Sequence, residues 1–546
     1  MNRIWSYLRP LLPGPDDYRG IRRSWRGDLI AGVTVGVVAL PLALGFGISS
    51  GAGAESGLVT AIVAGVVAAV LGGSNVQVSG PTGAMVVILA PIVVAHGPAA
   101  VVIVSIMAGV IVVIAGVLKL GRLVALVPWP VIEGFTLGIA VIIFLQQIPS
   151  TVGAAPHAST NAMVAAVESV RRADWPAVLA PVLVAIAVGL VMWLSDRIHT
   201  RIPGSLVAIL LVTLVVGVLG IPVQSIGALP STLAAPAIPN APWETILSLI
   251  GPASAVAALA AIESLLSARV ASRMADTGRF DPDRELIGQG AASILSGLFG
   301  GMPATGAIAR TAVNVRSGGR SRLAAVVHAL VLLGAVYLAA PLISRIPLAA
   351  LAGVLLYTAV RMVSVATVRS VLRSGWSAAL AFCVTAVVTV SFDLIVAVGI
   401  GVAVTAFFAL RALSSSAGVH REELPDPRPG DERIELLRLD GSLIFVGAER
   451  VLDQVRETRA EVVILRMSQL EGLDATGAHV LADLIRELER RSVTMLLKGV
   501  QAQHSTVVSR SGMLSSLRHR NHLFTDLDAA VEHARLHVAR SHADPA

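Results

Sequence analysis

The sequence predicts an all-α domain that crosses a membrane many times, followed by a small soluble α/β domain. Of its 546 residues, 55% are hydrophobic and 14% are charged, which is too apolar a composition for a soluble globular protein. Apolar stretches of near-spanning length recur between about residues 29 and 411, whereas charged residues concentrate after Arg411. We therefore expect one large membrane domain and one separate soluble domain.

The N-terminal segment, residues 1–27, is basic and is interrupted by Pro10, Pro13 and Pro15. It does not resemble a secretory signal, because the apolar run that follows is long enough to span a membrane and no small-residue cleavage site precedes that run. We interpret it as a retained cytoplasmic segment.

The apolar stretches predict fourteen spans within a membrane domain at 28–413. The first seven lie near 29–47, 57–73, 82–95, 98–118, 126–148, 176–195 and 204–220. The second seven lie near 246–268, 286–300, 304–315, 322–341, 345–361, 375–391 and 393–411. Because seven is odd, the second set is inverted relative to the first, which is the architecture of an inverted-repeat transporter.

The basic residues of the loops indicate the orientation, since cytoplasmic loops carry an excess of Lys and Arg. If the N-terminus is cytoplasmic, only Arg171, Arg172 and Arg345 face the outside. Fourteen others face the cytoplasm: Lys119, Arg122, Arg197, Arg201, Arg269, Arg273, Arg279, Arg284, Arg316, Arg320, Arg322, Arg361, Arg369 and Arg373. We expect a multi-pass protein of the cell membrane with both termini and the soluble domain in the cytoplasm.

The net charge of +7 then reflects orientation in the lipid bilayer rather than binding of nucleic acid.

Two polar, Gly/Pro-containing segments interrupt apolar sequence at membrane depth. One runs from Gln77 to Met85, and the other from Gly300 to Thr311. The motif Thr-Gly-Ala occurs in both, beginning at Thr82 and at Thr305. Unwound backbone in a membrane survives only where protein covers it or where it lines a cavity, and paired broken helices mark transporter binding sites. The substrate site is therefore predicted between the two segments.

Arg310 falls in the interior of a predicted span, where a charge costs about 2.5 to 3.5 kcal/mol even on mild scales. Two helix N-termini beside it would add partial positive charge and unpaired N–H groups. Together they predict an anion site. The candidate backbone donors are Thr82 and Gly83 on one side, and Gly306, Ala307, Ile308, Ala309 and Arg310 on the other. The alternative is an ion pair of Arg310 with a carboxylate such as that of Glu263.

Glu263 lies in the middle of a span rich in small residues, and Ser267 follows one helical turn later on the same face. A buried carboxyl suits a proton acceptor, whereas a formal charge beside an oxygen ligand suits a sodium ion. We expect this pair to bind the coupling ion. Glu133 and Asp393 lie near predicted span ends and are interpreted as helix-end residues.

The C-terminal region predicts a polar linker at 414–431, an α/β domain at 432–541 and a tail at 542–546. Strand-like runs at 433–439, 442–446, 462–467 and 493–498 alternate with helix-like runs at 448–459, 475–491 and 526–539. It contains no phosphate-binding glycine loop and no triad spacing. The single cysteine, Cys383, excludes a disulfide within the chain and a multi-cysteine metal site. The chain is therefore not expected to be an enzyme, and no metal or cofactor is expected.

These motifs resemble those of the sulfate permease family, solute carrier family 26 in animals. The resemblance runs through Ser79 to Ala84, the span around Glu263, Glu285 to Gly290, Gly300 to Arg316 and the C-terminal domain. It implies a core domain that holds both half-helices, a gate domain, an elevator-type movement of core against gate, and a homodimer with contacts through the C-terminal domain.

The C-terminal domain resembles the STAS module, which is similar to anti-sigma-factor antagonists. The relatives' phosphorylated serine corresponds to Thr476 in the loop from Leu473 to Gly477. Because threonine replaces serine, we favour Thr476 as a helix N-terminal hydroxyl over a phosphorylation site. The resemblance also implies that the domain could bind a cytoplasmic protein.

Within the family, the core motifs look most similar to a bacterial group of sodium-coupled bicarbonate carriers and proton-coupled C4-dicarboxylate carriers of the DauA type. The bicarbonate carriers have aspartate and threonine where this chain has Glu263 and Ser267, so the resemblance favours protons over sodium.

The sequence thus predicts a secondary active transporter of small anions, of the sulfate, bicarbonate or C4-dicarboxylate class, working as a proton symporter. The alternatives are a sodium-coupled bicarbonate symporter, a passive anion channel and a sensor whose output is the STAS domain. Glu263 favours a transporter, because a passive channel needs no titratable coupling residue.

Overall fold

Apolar stretches become helices in a membrane because each backbone polar group must find its partner within the segment. The computed structural model describes residues 9–122, 128–153, 162–174, 176–198, 203–227, 232, 235–278, 280–391, 394–415, 418–444, 448, 455 and 458–543. The chain divides into two compact units, Met1–Val402 and Ala403–Ala546.

The first half of the membrane domain contains one short strand, β1 (Ser79–Gly80). Its helices are α1 (Ile21–Ser49), α2 (Ala54–Leu71), α3 (Gly83–His96), α4 (Ala99–Val117), α5 (Trp129–Thr151), α6 (Ala162–Arg171), α7 (Leu179–Ile198) and α8 (Gly204–Leu219). A π-helical turn at Thr60–Ala64 interrupts α2.

The second half repeats this order, with one short strand, β2 (Thr305–Gly306). Its helices are α9 (Trp243–Ser248), α10 (Ile250–Met274), α11 (Pro282–Leu298), α12 (Ile308–Arg316), α13 (Leu323–Ile343), α14 (Leu348–Met362), α15 (Val365–Arg373), α16 (Trp376–Ser391) and α17 (Leu394–Ser415). In both halves the third span begins as a strand and continues as a short helix, as expected for the predicted seven-plus-seven repeat.

Each of the fourteen predicted spans coincides with a helix, which confirms the predicted architecture of the membrane domain. The prediction omitted α6, α9 and α15. These helices have only six to ten residues of mixed polarity, which is too short and too polar for an apolar span to be predicted. Asp393, Arg201 and Arg279 lie outside the described residues.

The helices pack in two groups that correspond to the expected core and gate. In the core group, α4 packs on α10 and α11, α2 on α11, and α13 on α1. In the gate group, α5 packs on α14 and α16, and α7 on α8 and α14. Glycine allows the closest approaches within the core: a Cβ on Gly57 of α2 would lie 2.0 Å from the carbonyl oxygen of Ala43 in α1.

The described residues of the second unit that follow α17 form a five-stranded sheet with helices on both faces. Its strands are β3 (Gly418–Glu422), β4 (Ile434–Leu443), β5 (Val462–Leu473), β6 (Thr494–Lys498) and β7 (Leu523–Phe524), and its helices are α18 (Ala475–Arg490), α19 (Ser505–Arg510) and α20 (Leu527–Ala543). The spatial order is β3-β4-β5-β6-β7, with β3 antiparallel and the others parallel. Alternate strand residues face opposite sides, so Leu465 packs towards α18 and Ile464 towards α20.

The structure corrects two predictions for this unit. The predicted linker at 414–431 contains β3, and the carboxylate of Glu422 on this strand pairs with Arg438 on β4 and with Arg466 on β5. The two strand-like runs at 433–439 and 442–446 join into the single strand β4, because Gly441 stays in the ladder with β5. Most of the predicted helix at 448–459 lies outside the described residues.

Candidate anion-binding site

The two broken spans meet at their interruptions. β1 and β2 pair antiparallel, with Ser79 opposite Gly306 and Gly80 opposite Thr305. Each strand leads directly into a short helix, α3 at Gly83 and α12 at Ile308. The pairing therefore holds two helix N-termini together within the membrane domain. We call the place where they meet the junction, and the two short helices α3 and α12 the half-helices. Each N-terminus carries about half a positive charge.

The unwound chain before α12 is stable in the membrane domain because side-chain hydroxyls replace helical hydrogen bonds. Ser105 donates to the carbonyl of Gly301, and Ser296 to that of Met302. N–H groups of the same segment donate to three hydroxyls: Met302 to Thr60 at 2.8 Å, Ala304 to Ser293 at 3.2 Å and Gly306 to Ser264 at 3.0 Å. This pairing of buried backbone groups fixes the position of β2.

The chain before α3 is held in the same manner. Val78 donates its N–H to the hydroxyl of Thr311 at 3.0 Å, and Asn314 donates to the carbonyl of Val76 at 2.7 Å. A buried carboxylate, that of Glu285, accepts from the N–H groups of Gly73 and Ser74 at 2.8 and 3.1 Å. Side chains of the second half of the repeat thus position the interruption in the first half.

The structure narrows the set of backbone donors that was predicted. Gly306 N–H donates to Ser264, and Ala307 N–H donates to the carbonyl of Val78 at 2.9 Å, so neither is available to a ligand. Thr82 precedes α3 as its N-cap, and its own hydroxyl donates to Glu263. The first three N–H groups of a helix have no partner within the helix. The N–H groups without a partner in their own helix are therefore those of Gly83, Ala84 and Met85 in α3, and of Ile308, Ala309 and Arg310 in α12.

Arg310 lies in the first turn of α12 and is 2% exposed. Its Nη2 donates to the carbonyl of Pro81 in the opposite interruption. Its Nη1 is buried and has no hydrogen-bond partner among the described residues. A Cβ on Gly80 would lie 2.6 Å from this Nη1, so glycine makes room for the guanidinium. Arg310 thus crosses from one half-helix to the other and retains one unused donor.

Glu263 projects from α10 towards the same junction and is partly exposed. Its Oε2 accepts hydrogen bonds from the hydroxyls of Thr82 and Thr305, both at 2.9 Å. These two threonines are also 3.2 Å apart at their hydroxyl oxygens. The carboxylate is therefore bonded to both interruptions, whereas Arg310 bonds to backbone. This arrangement disfavours the alternative in which Arg310 and Glu263 simply neutralise each other as an ion pair.

Whether Ser267 joins Glu263 in binding a coupling ion stays a prediction, and the hydroxyl contact that the structure gives Ser267 is with Thr311. Ser267 is fully buried, and its hydroxyl lies 3.3 Å from that of Thr311 in α12. One helical turn therefore separates a residue that faces the junction from one that packs against the half-helix. Sequence reasoning missed Thr305 and Ser264, which contact the site directly. Thr305 could have been found, because it matches Thr82 in the repeated Thr-Gly-Ala motif.

The other candidates lie away from the junction. Glu133 lies in the second turn of α5, where its carboxylate accepts from the indole N–H of Trp129 at 3.1 Å, as a helix-end residue would. Thr476 is exposed in the first turn of α18, so its hydroxyl lies at the helix N-terminus. Asp474 is the N-cap residue, and its side chain accepts from the N–H of Gly477 at 2.7 Å.

We expect Gly306→Ala to disrupt the site. An added Cβ would lie 1.6 Å from Nε2 and 2.6 Å from Cδ of buried Gln77, so the side chain of Gln77 or β2 itself must move. Overpacking of this kind typically costs about 1 to 3 kcal/mol. Thermal unfolding of the purified protein should report a lower melting temperature together with weaker anion binding. The matched control is Gly251→Ala in α10, where a Cβ meets nothing within 4 Å. Equal stability of the two variants would contradict this account of the junction.

Comparisons with known proteins agree with this architecture. The family model described as the sulfate permease family matches residues 25–387, and the STAS domain model matches residues 428–530. The candidate sulfate transporter YvdB of Bacillus subtilis is 34% identical over 93% of this chain and 97% of its own. The bicarbonate transporter BicA of Synechocystis is 31% identical over 88% of this chain and 89% of its own. The solved structure of SLC26A9 superposes with a TM-score of 0.82 and 17% identity, covering 99% of this chain and 95% of the other, which shows the common fold.

Proposed function

Because the chain belongs to the sulfate permease family, we propose that it is a secondary active transporter that carries small anions across the cell membrane. The observation that supports this most directly is the junction of α3 and α12. Two helix N-termini and the unused donor of Arg310 converge where the chain is unwound. Such a site favours a small anion, because it offers N–H donors and positive charge in a protein environment of low dielectric constant.

The substrate class follows from the hydrogen-bond donors and the positive charge of the site. Backbone N–H groups and one guanidinium bind oxyanion and carboxylate groups through similar hydrogen bonds. Sulfate, bicarbonate and C4-dicarboxylates all fit this description. The names of the relatives, one a sulfate and one a bicarbonate transporter, support the first two.

We further propose that protons drive the transport and that Glu263 accepts them. Its carboxylate is bonded to both interruptions through Thr82 and Thr305, so its protonation changes the net charge of the junction directly. A neutral Glu263 would leave the positive charge of Arg310 and the helix ends available to an incoming anion. Proton and anion would then cross together. The hydroxyl of Ser267 contacts that of Thr311, and this engagement makes a sodium site built from Glu263 and Ser267 less favourable.

An elevator-type movement is supported by the space between core and gate helices. A cavity of about 630 Å³ is lined by Ser49 of α1 and Pro91 of α3 on the core side, and by Gln146 and Ser150 of α5 on the gate side. Core helices can slide past a gate only if the two groups are not packed tightly along their whole contact. This cavity is consistent with such a partial separation.

Counterflow in proteoliposomes tests the proposed function. Vesicles loaded with unlabelled sulfate, bicarbonate, succinate or chloride should take up the labelled form of the same anion above equilibrium if that anion is a substrate. A passive channel instead predicts a steady anion current and no counterflow. A chain that shows neither with any of these anions would contradict the proposed transport.

The cytoplasmic location of the second unit can be tested by labelling. In a Cys383→Ser background, a Ser509→Cys variant has its thiol on the exposed face of α19, and we expect an impermeant thiol reagent to label it only after permeabilisation. An Asn240→Cys variant, in the predicted outer loop before α9, should be labelled in intact cells. Labelling of position 509 from outside would refute the orientation.

We propose that the protein is a homodimer with contacts through the STAS domain and neighbouring gate helices, and that the STAS domain also offers a surface to a cytoplasmic protein. The detergent-corrected mass of the purified protein should equal two chains. Truncation after residue 416 should weaken the dimer while the membrane domain remains folded. A mass of one chain for the intact protein would exclude the dimer under those conditions.

A further inference from the structure

Four histidines come together in the second unit although they are dispersed in the sequence. His519 and His522 precede β7, and His533 and His537 lie one turn apart on α20. The ring centroid of His522 lies 5.4 Å from that of His533 and 5.4 Å from that of His537. The centroids of His533 and His537 are 5.1 Å apart. The interplanar angles are 63° to 84°, so the rings are arranged edge to face and are not stacked face to face. Their edges, which carry the nitrogen atoms, converge.

Two nitrogen atoms in this cluster lack partners. His522 is 1% exposed, and its Nδ1 is buried without a hydrogen bond among the described residues. Nε2 of His533 is likewise buried and unpaired. A buried polar atom without a partner costs about 1 to 3 kcal/mol, and a role in binding an ion is one physical reason for its presence.

The geometry points to a binding site for a transition-metal ion, and we propose that His522, His533 and His537 coordinate one Zn²⁺. One ligand atom from each lies within 4.8 Å of the other two. Small side-chain rotations would bring all three to the Zn–N distance of about 2.0 to 2.1 Å. The fourth position of a tetrahedron would hold water or the exposed His519, whose ring lies 5.4 Å from that of His522.

The surroundings of the cluster suit a metal site. His522 also hydrogen-bonds to the backbone of Met495 through its other ring nitrogen, and such an outer contact orients a metal-binding imidazole. A set of three imidazoles selects Zn²⁺, Cu²⁺, Ni²⁺ or Co²⁺ over Mg²⁺ and Ca²⁺, which prefer oxygen ligands.

The ion would join α20 to the edge of the sheet. β7 is a strand of only two residues, and α20 is attached on another side through an ion pair of Arg535 with Asp431 at 2.8 Å. A metal bound by His522 on one side and by His533 and His537 on the other would link the turn before β7 to the helix. The metal would therefore stabilise the C-terminal part of the STAS domain, independently of the anion that the membrane domain carries.

The test uses the full-length protein, purified through a tag without histidine and stripped of metal with a chelator. Titration with Co²⁺ should produce the visible absorption bands of a four-coordinate ion and saturate at one ion per chain. Zn²⁺ should abolish these bands by displacement, and elemental analysis should then find one zinc per chain. Zn²⁺ should also raise the melting temperature of the second unit.

The matched variants are His533→Gln and His537→Gln, which replace half-buried rings, and His479→Gln, which replaces an exposed histidine on α18. Each of the first two should weaken binding by more than the ~10–100-fold that loss of an outer-shell partner costs, while His479→Gln should bind as the wild type does. The proposal is overturned if the wild type binds no stoichiometric metal, or if the double variant His533→Gln/His537→Gln retains its affinity. Should that double variant fail to fold, the wild-type Co²⁺ titration alone decides.

Discussion

Arg310→Ala is expected to reduce anion affinity by roughly 10- to 100-fold, the range that corresponds to losing a charged hydrogen bond of about 1.5 to 3 kcal/mol. The variant removes the buried guanidinium whose Nη1 is unpaired, while the N–H groups at the starts of α3 and α12 remain. Binding should therefore weaken without being abolished. Calorimetry with the anion identified by counterflow measures the change in affinity.

The same substitution removes the donor to the carbonyl of Pro81, so a loss of stability must be separated from a loss of binding. Thermal unfolding without anion measures the first, and the shift of the melting temperature on adding anion measures the second. Arg316→Ala is the matched control, because it removes one positive charge from the exposed end of the same half-helix. An Arg310→Ala variant that binds the anion as tightly as Arg316→Ala does would refute a role for Arg310 in binding.

Glu263→Gln is expected to abolish accumulation of the anion driven by an inward pH gradient, because glutamine carries no titratable proton. Its side-chain carbonyl can still accept the hydroxyls of Thr82 and Thr305, so the junction should keep its shape. Exchange of labelled for unlabelled anion should therefore continue. Uptake into proteoliposomes, measured with and without the gradient, separates these two activities.

Two further variants make the test of Glu263 specific. Glu133→Gln neutralises a carboxylate in α5 that bonds to Trp129 away from the junction, and it should retain gradient-driven uptake. Ser267→Ala should not create or remove a dependence on sodium, because this hydroxyl contacts Thr311. Uptake that follows a sodium gradient at constant pH would refute proton coupling. Gradient-driven uptake that survives in Glu263→Gln would exclude this residue from coupling.

Much of the architecture is readable from the sequence because the membrane imposes a strong local constraint. A spanning segment must satisfy its backbone internally and present apolar side chains over a known length. Each of the predicted spans therefore coincides with a helix. The two interruptions are also visible, since Gly, Pro and Thr at membrane depth contradict that constraint, and the charge of Arg310 draws attention to one of them.

The contacts between residues of the junction are harder to predict from the sequence. Whether a backbone N–H is free depends on acceptors that are distant in the sequence. The N–H of Gly306 donates to the hydroxyl of Ser264, and that of Ala307 donates to the carbonyl of Val78. Glu263 and Ser267 are one helical turn apart, but that spacing does not reveal which partners each side chain has. The carboxylate of Glu263 accepts hydrogen bonds from both interrupted segments, whereas the hydroxyl of Ser267 contacts Thr311 in α12.

The sequence by itself determined the membrane spans, their inverted duplication, the position of the two breaks and the α/β class of the C-terminal domain, because periodicity, length and charge act locally along the chain. Only the tertiary structure decided which donors remain unpaired, that Arg310 crosses to Pro81, and that His522 meets His533 and His537. These features join residues far apart in the sequence, and the contacts between them depend on how separate helices and strands pack in three dimensions.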